Sequence, residues 1–190
     1  AERLLPVEHI AWPEAAHCLE MFSAMTQGPD GLVYAGTCNA MEKDRLGAML
    51  LSFDPNTKEQ RILADMELVT GEKDLATYPQ SKIHTQICFD SHGVAWFGTH
   101  SYQWDSLEKF AKNPEAYTGG HLITYDIQAK KATDLGILQP HESLMALALA
   151  ESAGKVYCIT HPTGSFLVYD IKTGKTANKG AVLGYPSRIV

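Results

Sequence analysis

Eight histidines are spread along the 190 residues. Imidazole is the side chain whose ordinary pKa lies nearest neutrality, so grouped histidines can pass protons or ligate a metal. Two of the eight recur in a pattern. His100 and His161 each close a short apolar run after a threonine, and Cys38 closes a third run in the same way. All three stand seven residues beyond a turn glycine: Gly31 to Cys38, Gly93 to His100 and Gly154 to His161. His84 opens the apolar run 83–89. His17 and His141 lie in links leading into other runs, His121 begins one more, and His92 sits in the turn DSHG. His84, His100 and His161 are therefore the candidates for acid–base catalysis or for holding a divalent metal. The spacing H-x-H or H-E-x-x-H does not occur among these residues. The competing reading is that each imidazole bonds a loop carbonyl and that the Thr-His pair is inherited from duplication.

The elements that must position these residues are themselves repeated. The clearest unit runs from Ile83 through VAWFGT and LITYD to a weaker run ending at Leu138. Four short runs of strand length are joined by turn signals. The third-run endings SFD, TYD and VYD correspond, and Tyr125 to Tyr169 spans 44 residues. A four-strand unit of that period is the mark of a β-propeller blade. The expected fold is all-β, a β-propeller with about three four-stranded blades, at 18–65, 83–138 and 143–180. An outer strand at 1–7 and the start of a further inner strand at 187–190 flank them. Three blades and two fragments do not close a ring, so the expectation is a portion of a six- to eight-bladed propeller. The remaining blades would come from a longer parent chain or a second subunit.

Blade topology places the candidates. The innermost strand comes first and directions alternate, so the start of strand one, the end of strand two and the second-to-third connection share one rim. The long connections of this chain all fall there: 38–46, 66–80 and the insertion 100–119. The opposite rim has only tight turns such as GPDG, DSHG and ESAG. Long loops on a rigid scaffold are where binding residues usually sit. Within the insertion, Asp105 with Glu108 resembles a capping box, and Leu107, Phe110 and Ala111 have helical spacing before Pro114. One short helix is expected at about 105–112. The insertion adds Tyr102, Trp104 and Tyr117 to the rim. Their rings suit stacking on a sugar or another flat ligand, or else packing of the insertion onto its own blade. With Cys38 and His141 they complete the ligand-binding candidates read from position.

Composition bounds the partners. The formal charge is −6 with no basic cluster, so nucleic acid is not an expected partner. No apolar run is long enough to span a membrane. The four cysteines, Cys18, Cys38, Cys88 and Cys158, form no C-x-x-C pair. They read as small buried apolar residues and leave the compartment open.

The stretch KIHTQICFDSHGVAWFGT followed by GGHLITYD resembles bacterial β-propellers of the broad YVTN, SMP-30-like and oligogalacturonate-lyase-like type. The WD dipeptide of WD40 blades is replaced by FD, YD and YD. Oligogalacturonate-lyase-like propellers hold a metal with histidines and a glutamine at the channel mouth. By residue type this resemblance adds Gln86 to His84, His100 and His161. Two functions follow. One is a carbohydrate-active lyase or hydrolase working on a sugar or similar polar small molecule at the channel mouth. The other is a non-catalytic propeller that binds another protein within a larger complex.

Overall fold

The computed structural model describes residues 8, 10–12, 18, 20–39 and 47–182. The strands expected at 1–7 and 187–190, His17 and most of the 38–46 loop lie outside the described residues.

Three antiparallel four-stranded sheets follow one another along the chain. The first contains β1 (Met25–Gln27), β2 (Val33–Gly36), β3 (Met49–Phe53) and β4 (Gln60–Asp65). In the second, the inner strand is broken into β5 (Lys82–Ile83) and β6 (Cys88–Phe89), both paired with β7 (Val94–His100). Next come β8 (His121–Asp126) and β9 (Lys131–Ile137). The third is β10 (Ser143–Ala150), β11 (Lys155–His161), β12 (Ser165–Asp170) and β13 (Lys175–Ala181). Each first-to-second turn is set by a glycine in the left-handed region: Gly31 at φ 84°, Gly93 at 80° and Gly154 at 63°. A side chain there would be strained. In two of these turns an aspartate completes the structure. Asp30 accepts from the Leu32 amide, and Asp90 accepts from those of His92 and Val94.

The blades approach each other closely through two glycines. A Cβ on Gly36 would lie 2.5 Å from Ile83 Cγ2, and one on Gly98 would lie 2.6 Å from Leu144 Cβ. Both glycines stand five residues after the turn glycine, and both partners lie on the next inner strand, fully buried. Around these contacts lie two cores. Tyr34, Leu50, Phe97, Ile123 and Tyr125 fill the seam between the first two blades. Trp96, Leu122, Leu147, Val156 and Leu167 fill the next. In the third blade the glycine position is Ile159. There the equivalent face carries Tyr157 stacked on Phe166, with centroids 5.8 Å apart.

One helix departs from the sequence reading, and the expected one is capped by a different residue. α1 (Met66–Thr70) opens the long 66–80 connection after β4, where no helix is expected. Asp65 caps it through the Glu67 amide, and Gly71 ends it at φ 72°. α2 (Leu107–Lys112) is the expected insertion helix, but Ser106 rather than Asp105 caps it. Asp105 instead pairs with Lys109 at 2.9 Å, one turn away.

Gly98→Val should push β10 off the second blade and cost about 3 kcal/mol, the upper range for overpacking. Ile159→Val, at the equivalent position with no blade against it among the described residues, should cost under about 1.5 kcal/mol. Urea unfolding midpoints of the two variants check the difference.

Candidate functional site

Each blade ends its second strand with a threonine followed by a rim residue. The hydroxyl of Thr37 accepts from the Met49 amide, Thr99 from His121, and Thr160 from Ser165, at 2.8, 2.8 and 3.0 Å. All three threonines are buried. Each thus ties the end of a second strand to the start of the third, whatever the length of loop between them. This fixes Cys38, His100 and His161 at one height on the scaffold, on the rim carrying the 100–119 insertion.

The structure brings the three main candidates together. The rings of His84 and His100 lie edge to face, centroids 5.6 Å apart, and those of His100 and His161 likewise at 5.5 Å. Phe22 stacks on the other side of His84 at 5.4 Å. The row crosses all three blades. His84 Nδ1 faces the Met145 carbonyl at 3.1 Å, and His100 Nδ1 is hydrogen-bonded to Ser143 Oγ. Both ring nitrogens of His161 are buried with no hydrogen-bond partner. The Asp105 backbone comes near enough to act on that ring, but not in hydrogen-bond geometry.

Electrostatics keeps His100 and His161 neutral. Burial holds the His100 pKa well below the usual histidine range, and the charges of Lys82, His84 and His161 act in the same direction. Burial also lowers that of His161. Neutral imidazoles at pH 7 can accept a proton or share a hydrogen bond. Because these folded pKa values lie below the unfolded value, their stabilising effect is present above about pH 6.5 and lost on acidification.

Lys82 is the residue that the sequence reading missed. It pairs directly opposite His100 in the ladder, and its backbone bridges to Cys38 on the other side. The ammonium sits 3.8 Å from the Phe22 ring centroid and 5.3 Å from that of Tyr102. The residue is only 6% exposed. Strand alternation held the signal: Lys82 and His84, two apart, share a face, and a lysine is rare inside a buried inner strand.

The remaining candidates divide. Tyr102 is 36% exposed and borders the row. Cys38 is buried beside it, and burial pushes its thiol up to about 11. Gln86 is half-buried in the break between β5 and β6. Trp104 and Tyr117 are 1% and 0% exposed. They form the core of the insertion, with centroids 5.7 Å apart, and Trp104 Nε1 donates to the His141 carbonyl. Their rings therefore pack the loop instead of facing a ligand. His141 holds the same loop, its Nδ1 2.8 Å from the Tyr117 carbonyl. Among the described residues, no three His, Cys, Asp or Glu side chains are placed to hold a metal ion. The expected metal set of His84, His100 and His161 is thus not assembled as these side chains stand. His92 is exposed on the opposite rim.

Behind the row lies a buried polar network. Gln80 Oε1 accepts from Thr99 and Tyr117, while Nε2 donates to Glu72 and the Gly119 carbonyl. His121 lies between Asp134 at 2.9 Å and Glu72 at 3.2 Å. Burial alone would lower its pKa, but bonds to the two carboxylates lift it to about 9.

The fold has known counterparts. No protein-family model matches the chain, and no curated protein does either. Among solved structures, it is similar to the extracellular domain of a one-component system from B. thetaiotaomicron, at 13% identity and a TM-score of 0.50 over 82% of the chain. It is similar to a chain of the nidogen/laminin complex at 13% identity and TM-score 0.50 over 80%, and to one of the mitotic checkpoint complex at 11% and 0.53 over 97%. It spans 16%, 44% and 48% of those chains respectively. The likeness is one of architecture: the three sheets are successive blades of a β-propeller.

Since the folded pKa of His121 lies above its unfolded value, its contribution to stability is complete below about pH 6.5 and lost as pH rises through about 9. Urea midpoints should fall over that window, and His121→Asn should flatten the fall.

Proposed function

We propose that the rim at the mouth of the channel is a small-molecule site, with His84, His100 and His161 as its floor and Tyr102 at its edge. The observation that carries this reading is His161: a buried imidazole with two unbonded nitrogens, beside the neutral ring of His100. Leaving buried polar atoms unpaired costs about 1–3 kcal/mol each, and a ligand hydroxyl would remove that cost. The class favoured is a carbohydrate or similar polar molecule. Phe22 and Tyr102 offer apolar ring surface, and the imidazoles offer hydrogen bonds. If the site is catalytic, the chemistry is lyase- or hydrolase-type proton transfer, with neutral His100 or His161 as base. Among the described residues no three His, Cys, Asp or Glu side chains are placed to hold a metal ion, so no step is routed through one.

A second reading rests on a different surface. The outward face of the third blade carries Tyr157 stacked on Phe166, both half-buried, where the equivalent faces of the first two blades are covered by a neighbour. This favours a further blade or a partner subunit packed there. Ile159 in place of glycine would hold that neighbour farther out than Ile83 or Leu144 sits. A propeller scaffold in a larger assembly is compatible with a ligand-binding rim, so the readings are not exclusive.

Replacing His84 and His161 together by alanine should abolish binding of a responsive sugar in a saccharide panel, read by calorimetry, with the thermal melt within a few degrees of the parent. Unchanged affinity in the folded double variant would return the imidazoles to a structural role.

A further inference from the structure

The seam between the first two blades opens into a cavity of about 650 Å³, away from the histidine row. Its walls come from both blades. Tyr34 and Ser52 are paired across β2 and β3 of the first, and Tyr125 comes from β8 of the second. Leu32, Leu63 and Ile127, all half-buried, supply apolar surface at the edge of the first core. The cavity is therefore a slot between two sheets. It reaches the rim of tight turns, where Asp30 and Lys130 stand. Its volume lies within the range of small-molecule sites, roughly 300–1,000 Å³.

The charges around the slot are matched within the chain. Glu59 accepts two bonds from Arg61, at 2.8 and 2.7 Å. Asp30 accepts from the Tyr34 hydroxyl at 2.8 Å and from the Leu32 amide at 3.1 Å. Lys130 stands in the field of Glu59. Ser52 and Tyr125 differ from these groups. Each is only 3% exposed. Neither hydroxyl has a hydrogen-bond partner among the described residues, and neither is fully enclosed, so both open on the cavity that their residues line. A hydroxyl can donate and accept at once. Left without a partner in a buried setting, it forfeits a bond that water supplies to the unfolded chain.

We propose that this slot is a second binding site, for a neutral planar heterocycle of the nucleoside kind. A flat ring fills a gap between two sheets and covers Leu63 and Ile127. Its edge sets a donor beside an acceptor, the pair that two hydroxyls complement. A net charge on the ligand gains little, because the charged groups of the slot already have partners. The site shares no residue with the histidine row and does not rest on the reading of that rim.

The test is calorimetry on the intact chain with adenosine, uridine, adenosine monophosphate and glucose. At least one nucleoside should bind, about tenfold or more tighter than glucose. The added phosphate should change adenosine affinity by less than about threefold, where a new charge-assisted bond would exceed that. Tyr125→Phe and Ser52→Ala each delete one hydroxyl and should each weaken nucleoside binding at least about fivefold. Melting curves establish that the variants fold, and if one does not, the other decides. Replacing His84 and His161 together by alanine should leave nucleoside affinity unchanged. The inference is overturned if neither nucleoside binds, if glucose or the monophosphate passes its limit, or if a folded hydroxyl variant loses less than stated. Loss of nucleoside binding in the histidine double variant would also overturn it, by moving the ligand to the other rim.

Discussion

The close approach of successive blades at Gly36 and Gly98 is the constraint on which the rest of this structure depends. With no side chain on these residues, Ile83 and Leu144 of the next inner strand pack directly against the preceding second strand. Those two inner-strand residues are neighbours of the chemistry. Ile83 lies between Lys82 and His84, and Leu144 lies between Ser143 and Met145, whose polar groups meet His100 and His84. Seating the glycine contact therefore sets the distance between imidazoles on different blades. A displacement of one ångström at Gly98 would separate His100 from both Ser143 and His161. Core packing and site geometry are here the same contact seen from two sides.

Height on the scaffold is fixed separately, by the three threonine hydroxyls. Each bonds the first amide of the following strand, so loops of very different length start and finish at the same level. This is how the 100–119 insertion is accommodated without moving His100. The insertion is then stabilised by its own small core around Trp104 and Tyr117 and by the Gln80 network beneath it. Rigid support of this kind is what a preorganised site needs, because ordering side chains at the moment of binding costs free energy.

Much of this was legible in the residues. The turn glycines and the matching distances to Cys38, His100 and His161 specify the blade repeat, because a strand's length and its pleat fix both the rim and the face of its last residue. The convergence of His84, His100 and His161 on one rim follows from the same alternation. Other features could not be read. Trp104 and Tyr117 looked equally suited to a ligand or to their own loop. Only the meeting of Trp104 Nε1 with the His141 carbonyl, 37 residues along, separates the two. The α1 helix depends on a cap at Asp65 and a left-handed Gly71, signals too short to outweigh a turn. The setting of Lys82 is not legible either, because its cradle joins Phe22 from the first blade with Tyr102 from the insertion.

The central claim is that the blades hold three imidazoles side by side, buried next to a lysine. Two-bond nitrogen–proton correlation spectra of the histidine rings, followed from pH 8 to pH 5, test it most directly. The structure predicts that His100 remains neutral well below pH 6.5, that the pKa of His161 is also lowered, and that His121 is protonated at pH 7. Titration of His100 and His161 in the ordinary histidine range would mean that the rings stand apart in water, and would contradict the arrangement described.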